Sequence, residues 1–279
     1  MNFVDKVKIL QNHFNAGNFK NVIEGCKTLD KKFPNNSFIL NLSGMAYQGL
    51  INHHKAIEFF ELALKADNRN IAAMNNLANS FKNTHQYLKA DQIFKKIVKD
   101  NPNYLNALNN YANVKSEVND IEGAIQLYNK ALVVAKKKKI NFLIILINLA
   151  ASYQSINKKK ESLETIQEIF KLDPNNVRAH KLLSEIYKYS EKNEETIAHL
   201  VKMEDILKRN DLNDSQKESI TFAIGKAYDD LKNAKKAVEF FFSGNKLHLK
   251  TSKSNLTEEV NVISNVKKIF NNIDLNVSH

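Results

Sequence analysis

Turn-forming residues are scarce in this chain, with 7 glycines and 3 prolines in 279 residues. Strand-rich folds and glycine-rich phosphate loops need more of both, so the composition points to long helices joined by short polar turns. The single cysteine, Cys26, has no partner for an intramolecular disulfide, and nothing marks an oxidising compartment. The N-terminus enters an amphipathic pattern directly, without a basic stretch ahead of an apolar one, so no secretory signal is expected. Long apolar runs are missing as well. The most apolar stretch, Ile140 to Leu149, is interrupted by Asn141 and Asn148 and falls short of the roughly 20 residues of a membrane span. A cytoplasmic protein without membrane association is expected.

Signatures of catalysis are absent too: no G-x-S-x-G, H-E-x-x-H, Walker loop or G-x-G-x-x-G occurs. His53 and His54 are expected to lie solvated in a turn, with no Cys or Asp at metal-ligand spacing. No catalytic residue, cofactor or metal is therefore assigned, and the chain alone is expected not to be an enzyme.

What is present is a globular composition, 43% hydrophobic and 25% charged, with a net charge of +11. The lysine runs Lys136–Lys139 and Lys158–Lys160 carry few interleaved aromatics, so specific nucleic-acid binding is not expected. The prolines disclose a period. Pro34 and Pro102 are 68 positions apart, with Asn68 midway, and Pro174 follows after 72, which implies a four-residue insertion near Lys136–Ile140. Seven units begin near Phe3, Ser37, Ile71, Leu105, Leu143, Val177 and Glu218. The first helix of a unit carries a small residue at Gly44, Ala78, Ala112, Ala150, Ser184 and Gly225, with Leu10 divergent. A bulky residue follows three positions on at Tyr47, Phe81, Tyr153, Tyr187 and Tyr228, whereas His13 and Lys115 depart. Second helices repeat a small residue at Ala56, Ala90, Ala124 and Ala237, then a large one at Phe60, Phe94, Tyr128, Ile166, Leu200 and Phe241. Close-packed helices need this alternation.

In these positions residues 3–245 resemble tetratricopeptide-repeat (TPR) proteins. The resemblance implies an all-α fold: a right-handed TPR superhelix, an α-solenoid of about seven helix-turn-helix repeats plus a C-terminal helix. The array would span residues 1–245, and an amphipathic helix and tail residues 246–279, with Val260, Ile263, Val266, Ile269 and Phe270 at helical spacing. It also implies a protein or peptide ligand held in the groove lined by first helices. The candidate groove residues are Asn41, Met45, Asn75, Asn79, Lys82, Asn109, Asn113 and Ser116, with Gln48 beside them. Asparagine carries both donor and acceptor, so a ladder of it can hold an extended backbone. Asn76, Asn110 and Asn148 recur at one repeat position and are expected to serve structure. The Lys/Asn/Arg carboxylate clamp of chaperone-binding relatives is incomplete: Asn79 and Asn110 fit, but its leading lysine position holds Asn75.

The stretch F-A-x-G-K-A-x-D-D-L from Phe222, the F-x-x-G-N ending at Asn245 and the segment Glu258–Ile273 resemble the junction in bacterial TPR–sulfotransferase fusions. That resemblance implies a substrate-recognition part whose catalytic domain, the one binding the sulfate donor PAPS, is missing or separately encoded. No R-x-G-T-T-like segment is present, so no catalytic or cofactor residue carries over.

Overall fold

The computed structural model describes residues 2–251. Among them all regular structure is helical: α1 (Phe3–Asn15), α2 (Phe19–Asp30), α3 (Ser37–Gly49), α4 (His53–Ala66), α5 (Ile71–Asn83), α6 (Tyr87–Asp100), α7 (Leu105–Glu117), α8 (Ile121–Lys137), α9 (Leu143–Ser155), α10 (Lys159–Leu172), α11 (Val177–Ile186), α12 (Glu194–Leu207), α13 (Asp214–Asp230) and α14 (Ala234–Thr251). The amphipathic segment Glu258–Ile273 lies outside the described residues. The described residues divide into two compact units, unit 1 up to Thr165 and unit 2 from Ile166.

Asparagine starts many of these helices. Asn2, Asn36, Asn52, Asn70, Asn176, Asn193 and Asn213 each accept a backbone N–H of the first turn through the side chain. Such caps satisfy donors that the helix itself leaves unpaired. At Asn213 the cap is reciprocal with Gln216, which opens α13 at Asp214, ahead of Glu218. His53 and His54 begin α4 rather than lying in a turn, because Asn52 caps that helix at Lys55 N–H.

The turn inside each pair is nearly invariant, yet it uses little glycine. The residues Gly17, Ile51, His85, Asn119, Asn157 and Lys232 all have φ between 58° and 73°. The next residue's N–H closes back on the first helix: Asn18 to His13 O, Asn52 to Tyr47 O, Gln86 to Phe81 O, Asp120 to Lys115 O, Lys158 to Tyr153 O and Asn233 to Tyr228 O, at 2.8–3.0 Å. This is the left-handed helix stop that glycine ordinarily supplies. Ile51 adopts it at φ 59° with a β-branched side chain that is 63% exposed. Ile51→Gly removes that strain and forfeits little burial. We expect it to stabilise the chain by about 1 kcal/mol, seen as a higher melting temperature; a lower one would contradict the strain.

In unit 1 the small–large alternation is direct contact. A Cβ on Gly44 would come within 2.5 Å of the ring of Phe60, which is fully buried on α4. The divergent Leu10 is compensated from the other side, since a Cβ on Gly25 would meet Leu10 Cδ2 at 2.2 Å. Large and small have exchanged helices there. Lys115, which departs from the bulky pattern, fills its place by lying 5.3 Å over the Tyr111 ring while its ammonium pairs with Asp91 at 2.9 Å and Asp120 at 3.3 Å. Those carboxylates, Asp91 above all, raise its pKa. The four-residue insertion lengthens α8 to 17 residues, against 14 in α4 and α6, and Lys139, two residues past its end, takes φ 52°.

Unit 2 contains one departure. α11 stops at Ile186, and Tyr187 is extended (φ −69°, ψ 141°) where other first helices continue. Tyr187 is therefore not the bulky helix-borne residue expected from the repeat. Tyr189, two residues on, is buried to 2% and takes a place in the core with Leu200, Met203 and Ile224. Farther along, the glycines and aromatics of 222–245 pack reciprocally. A Cβ on Gly225 would meet the Phe241 ring at 2.8 Å, and one on Gly244 the Phe222 ring at 2.9 Å. α14 runs through Ser243, Gly244 and Asn245 without a break. Within 222–245, the glycines of the motif that resembles a fusion junction make contacts between two helices.

Candidate functional site

The inner face of unit 1 is built from α3, α5, α7 and α9, and most of its asparagines are committed to one another. Asn76 donates to Asn41 Oδ1 at 3.0 Å, Asn110 to Asn75 Oδ1 at 3.2 Å and Asn148 to Asn113 Oδ1 at 3.2 Å. Each bond joins the first helices of successive pairs. Asn41 and Asn75 are buried to 7% and 6% exposure. Asn41 also reaches Met45 Sδ at 3.6 Å, and Gln48 donates to Ser80 Oγ at 2.8 Å. Asn41, Asn75 and Gln48, candidates for the groove from the sequence, are instead tied to the neighbouring first helix. Adjacent first helices run close enough for amide-to-amide bonds, and a half-buried amide is costly to leave unpaired.

The ladder slips once. Asn148 occupies the repeat position of Asn76 and Asn110, so its regular acceptor is Asn109; it bonds instead to Asn113, one helical turn farther along α7. The slip falls at the pair that carries the longer α8. It leaves Asn109 Oδ1 buried without a partner, and Ser116 Oγ on the same stripe of α7 is likewise unpartnered. Asn113 becomes a double acceptor, since the Tyr128 hydroxyl also donates to its Oδ1, at 2.5 Å.

At this slip a cavity of about 320 Å³ opens, lined by Lys82, Asn113, Ser116, Glu117, Ile121, Tyr128, Asn148, Ala151, Ser152 and Ser155. Of the eight groove residues expected from the sequence, the cavity brings together Lys82, Asn113 and Ser116. Asn79 and Asn109 lie half-buried on α5 and α7 outside its lining. Glu117, Asn148, Ser152 and Ser155 also line the cavity, none of them a groove candidate from the sequence. Their signal was weak, a polar residue on a first helix, because only the insertion decides which turn of α9 meets α7. The hydroxyls of Ser152 and Ser155 donate to Asn148 O and Ser152 O. Asn113 Oδ1 is thus occupied from two sides, and Lys82, Ser116 and Glu117 share the cavity lining with it.

Comparison with known proteins agrees with this architecture. A family model described as a tetratricopeptide repeat matches residues 39–70. No curated protein matches the chain in sequence. Among solved structures, a tetratricopeptide repeat protein from Parabacteroides merdae is 15% identical, with 91% of this chain and 95% of that one covered at TM-score 0.66. PilW, a type IV pilus biogenesis factor, is 18% identical over 80% of this chain and 98% of its own at TM-score 0.63. PilF of Pseudomonas aeruginosa is 17% identical over 77% and 93% at 0.60. The fold is a TPR solenoid, with seven helical pairs among the described residues. No described helix is long and apolar enough to cross a membrane.

Proposed function

We propose that this chain is a non-catalytic protein-interaction module that holds an extended segment of a partner protein across α5, α7 and α9. The observation that carries this reading is the cavity at the ladder slip, whose lining combines Lys82, Asn113, Ser116 and Glu117, residue types that carry both hydrogen-bond donors and an acceptor. A mixture of donors and an acceptor suits a polypeptide backbone, which offers C=O and N–H alternately. Ile121 and Ala151 add apolar wall for a side chain. The opposite charges of Lys82 and Glu117 keep the site from acting as a general anion trap.

Peptides selected from a random display library on the full chain test this. The double variant Lys82→Ala/Ser116→Ala is expected to bind the selected peptides at least about tenfold more weakly, a change of roughly 1.4 kcal/mol, with its melting temperature preserved. Equal binding would move the ligand elsewhere. Replacing Asn75, Asn79, Asn109 and Asn113 together does not separate binding from folding, because Asn75 and Asn113 hold neighbouring helices. The alternative of a sulfotransferase's recognition part rests on residues 222–245, whose glycines and aromatics are engaged in α13–α14 packing, and on the segment Glu258–Ile273, which lies outside the described residues.

A further inference from the structure

Unit 2 holds a linear chain of hydrogen bonds through two buried imidazoles. His180 Nε2 lies 3.0 Å from Pro174 O, His180 Nδ1 lies 3.0 Å from His199 Nε2, and His199 Nδ1 lies 2.7 Å from the Tyr189 hydroxyl. His180, His199 and Tyr189 are exposed by 4%, 8% and 2%. A carbonyl only accepts, so His180 Nε2 carries hydrogen and its Nδ1, in the neutral ring, accepts. His199 Nε2–H therefore donates to His180, and His199 Nδ1 accepts the tyrosine O–H. One arrangement of protons satisfies every member, and in it both rings are neutral.

A further proton fits badly. Added to His180 Nδ1, it faces the Nε2–H of His199 unless the chain reverses. Reversal turns the Tyr189 oxygen into an acceptor and leaves its own buried proton without a partner. The imidazolium would also lack a facing carboxylate. His199 meets His180, Tyr187 and Tyr189. His180 meets Phe170, with Lys202 of α12 opposing its charge and Asp173 contributing a weaker opposite effect. The nearby carboxylates are already engaged. Glu195 accepts from the Tyr187 hydroxyl. Asp230, at the end of α13, accepts from Lys188 at 2.5 Å, Lys226 at 2.7 Å and Tyr189 N–H at 3.2 Å. Burial opposes the charge of Asp230, but these bonds prevail and hold its pKa below the ordinary value.

We propose that the Pro174–His180–His199–Tyr189 chain is an acid-sensitive latch, closing segment 187–193 onto α12 at neutral pH and releasing it when an imidazole is protonated. The segment suits release because α11 has ended and its backbone is tied to the rest of the unit at few points: Tyr187 N–H at Leu183 O, the Lys226 ammonium at Tyr187 O, the Asp230 carboxylate at Tyr189 N–H, and Thr196 around Ser190. The sign follows from linkage. Burial, and then His180, push His199 down to about 3, and burial lowers His180 despite its bond to Pro174. The open segment therefore binds more protons than the closed one, so the latch is at full strength above about pH 6.5 and weakens as pH falls toward 3.

The test is amide hydrogen exchange of residues 187–193 in the full chain at pH 7.5 and pH 5.0, corrected for intrinsic exchange rates. One histidine released to an ordinary pKa raises the opening equilibrium about thirty-fold between these values. The double variant His180→Gln/His199→Gln is expected to lose that dependence. Nitrogen-15 shifts of the wild-type imidazoles at pH 7.5 should show two neutral rings, each protonated at Nε2, a reading that stands even if the variant folds poorly. Exchange constants within about threefold at the two pH values, full dependence retained in the variant, or imidazolium signals from the closed form would each overturn the proposal.

Discussion

Ala124→Asp is expected to destabilise unit 1 by about 3–5 kcal/mol, the scale on which an uncompensated buried charge acts. Ala124 is fully buried on α8, in one cluster with Leu108, Ala112, Tyr128 and Leu149. It lies where α8 must approach its neighbours closely, so the larger side chain finds neither volume nor a counter-charge. A repeat stack is stabilised mainly through contacts between neighbours, and a fault in α8 weakens the pairs on either side. Urea unfolding followed by circular dichroism measures the loss, and a control separates charge from volume. At pH 4 the carboxyl is largely neutral in the folded chain, so the deficit relative to wild type should shrink; at pH 8 it should be full. A loss below about 1 kcal/mol at pH 8 would show that the repeat register assigned to α8 is wrong.

Tyr189→Ala is expected to cost unit 2 about 3–5 kcal/mol, the range for emptying a large aromatic site. Tyr189 is among the largest fully buried side chains and packs beside Tyr187 and His199, with the Lys226 ammonium 5.1 Å from its ring centre. Burial, Tyr187 and Asp230 all raise its pKa, so the hydroxyl stays a donor at neutral pH. Tyr189→Phe keeps the volume and removes the bond to His199, for a smaller expected loss of about 1–2 kcal/mol. Thermal unfolding of both variants tests the order. If the alanine variant melted with wild type, or the two losses were equal, Tyr189 would not be the residue that fills the space left by the short α11.

Both variants turn on residues that the repeat pattern exposes to different degrees. Ala124 is legible because it belongs to a series, Ala56, Ala90, Ala124 and Ala237, whose spacing makes sense only if helices cross there. Tyr189 belongs to no series. The repeat frame points to Tyr187, and nothing local announces that α11 ends at Ile186 and hands the core position to a loop residue. The asparagines are a third case. Their abundance is visible in the sequence, but they have separate uses here: helix caps such as Asn70, left-handed turns such as Asn119, and the interhelical bonds of Asn76, Asn110 and Asn148. A backbone-binding ladder and a structural ladder have the same composition, and only the distances between amides on adjacent helices tell them apart.

The sequence by itself determined the helical class, the pairing of helices and the small–large packing, because these depend on neighbours within one repeat and recur until coincidence is excluded. The tertiary structure alone decided which of the candidate groove residues bond to a neighbouring helix and which line a cavity. Asn41, Asn75 and Asn113 each accept from the neighbouring first helix, and of these three only Asn113 also lines the cavity, with Lys82 and Ser116. The physical reason is the four-residue insertion: it lengthens α8 and coincides with α9 meeting α7 one turn out of register, and a displacement between helices is written in no single repeat.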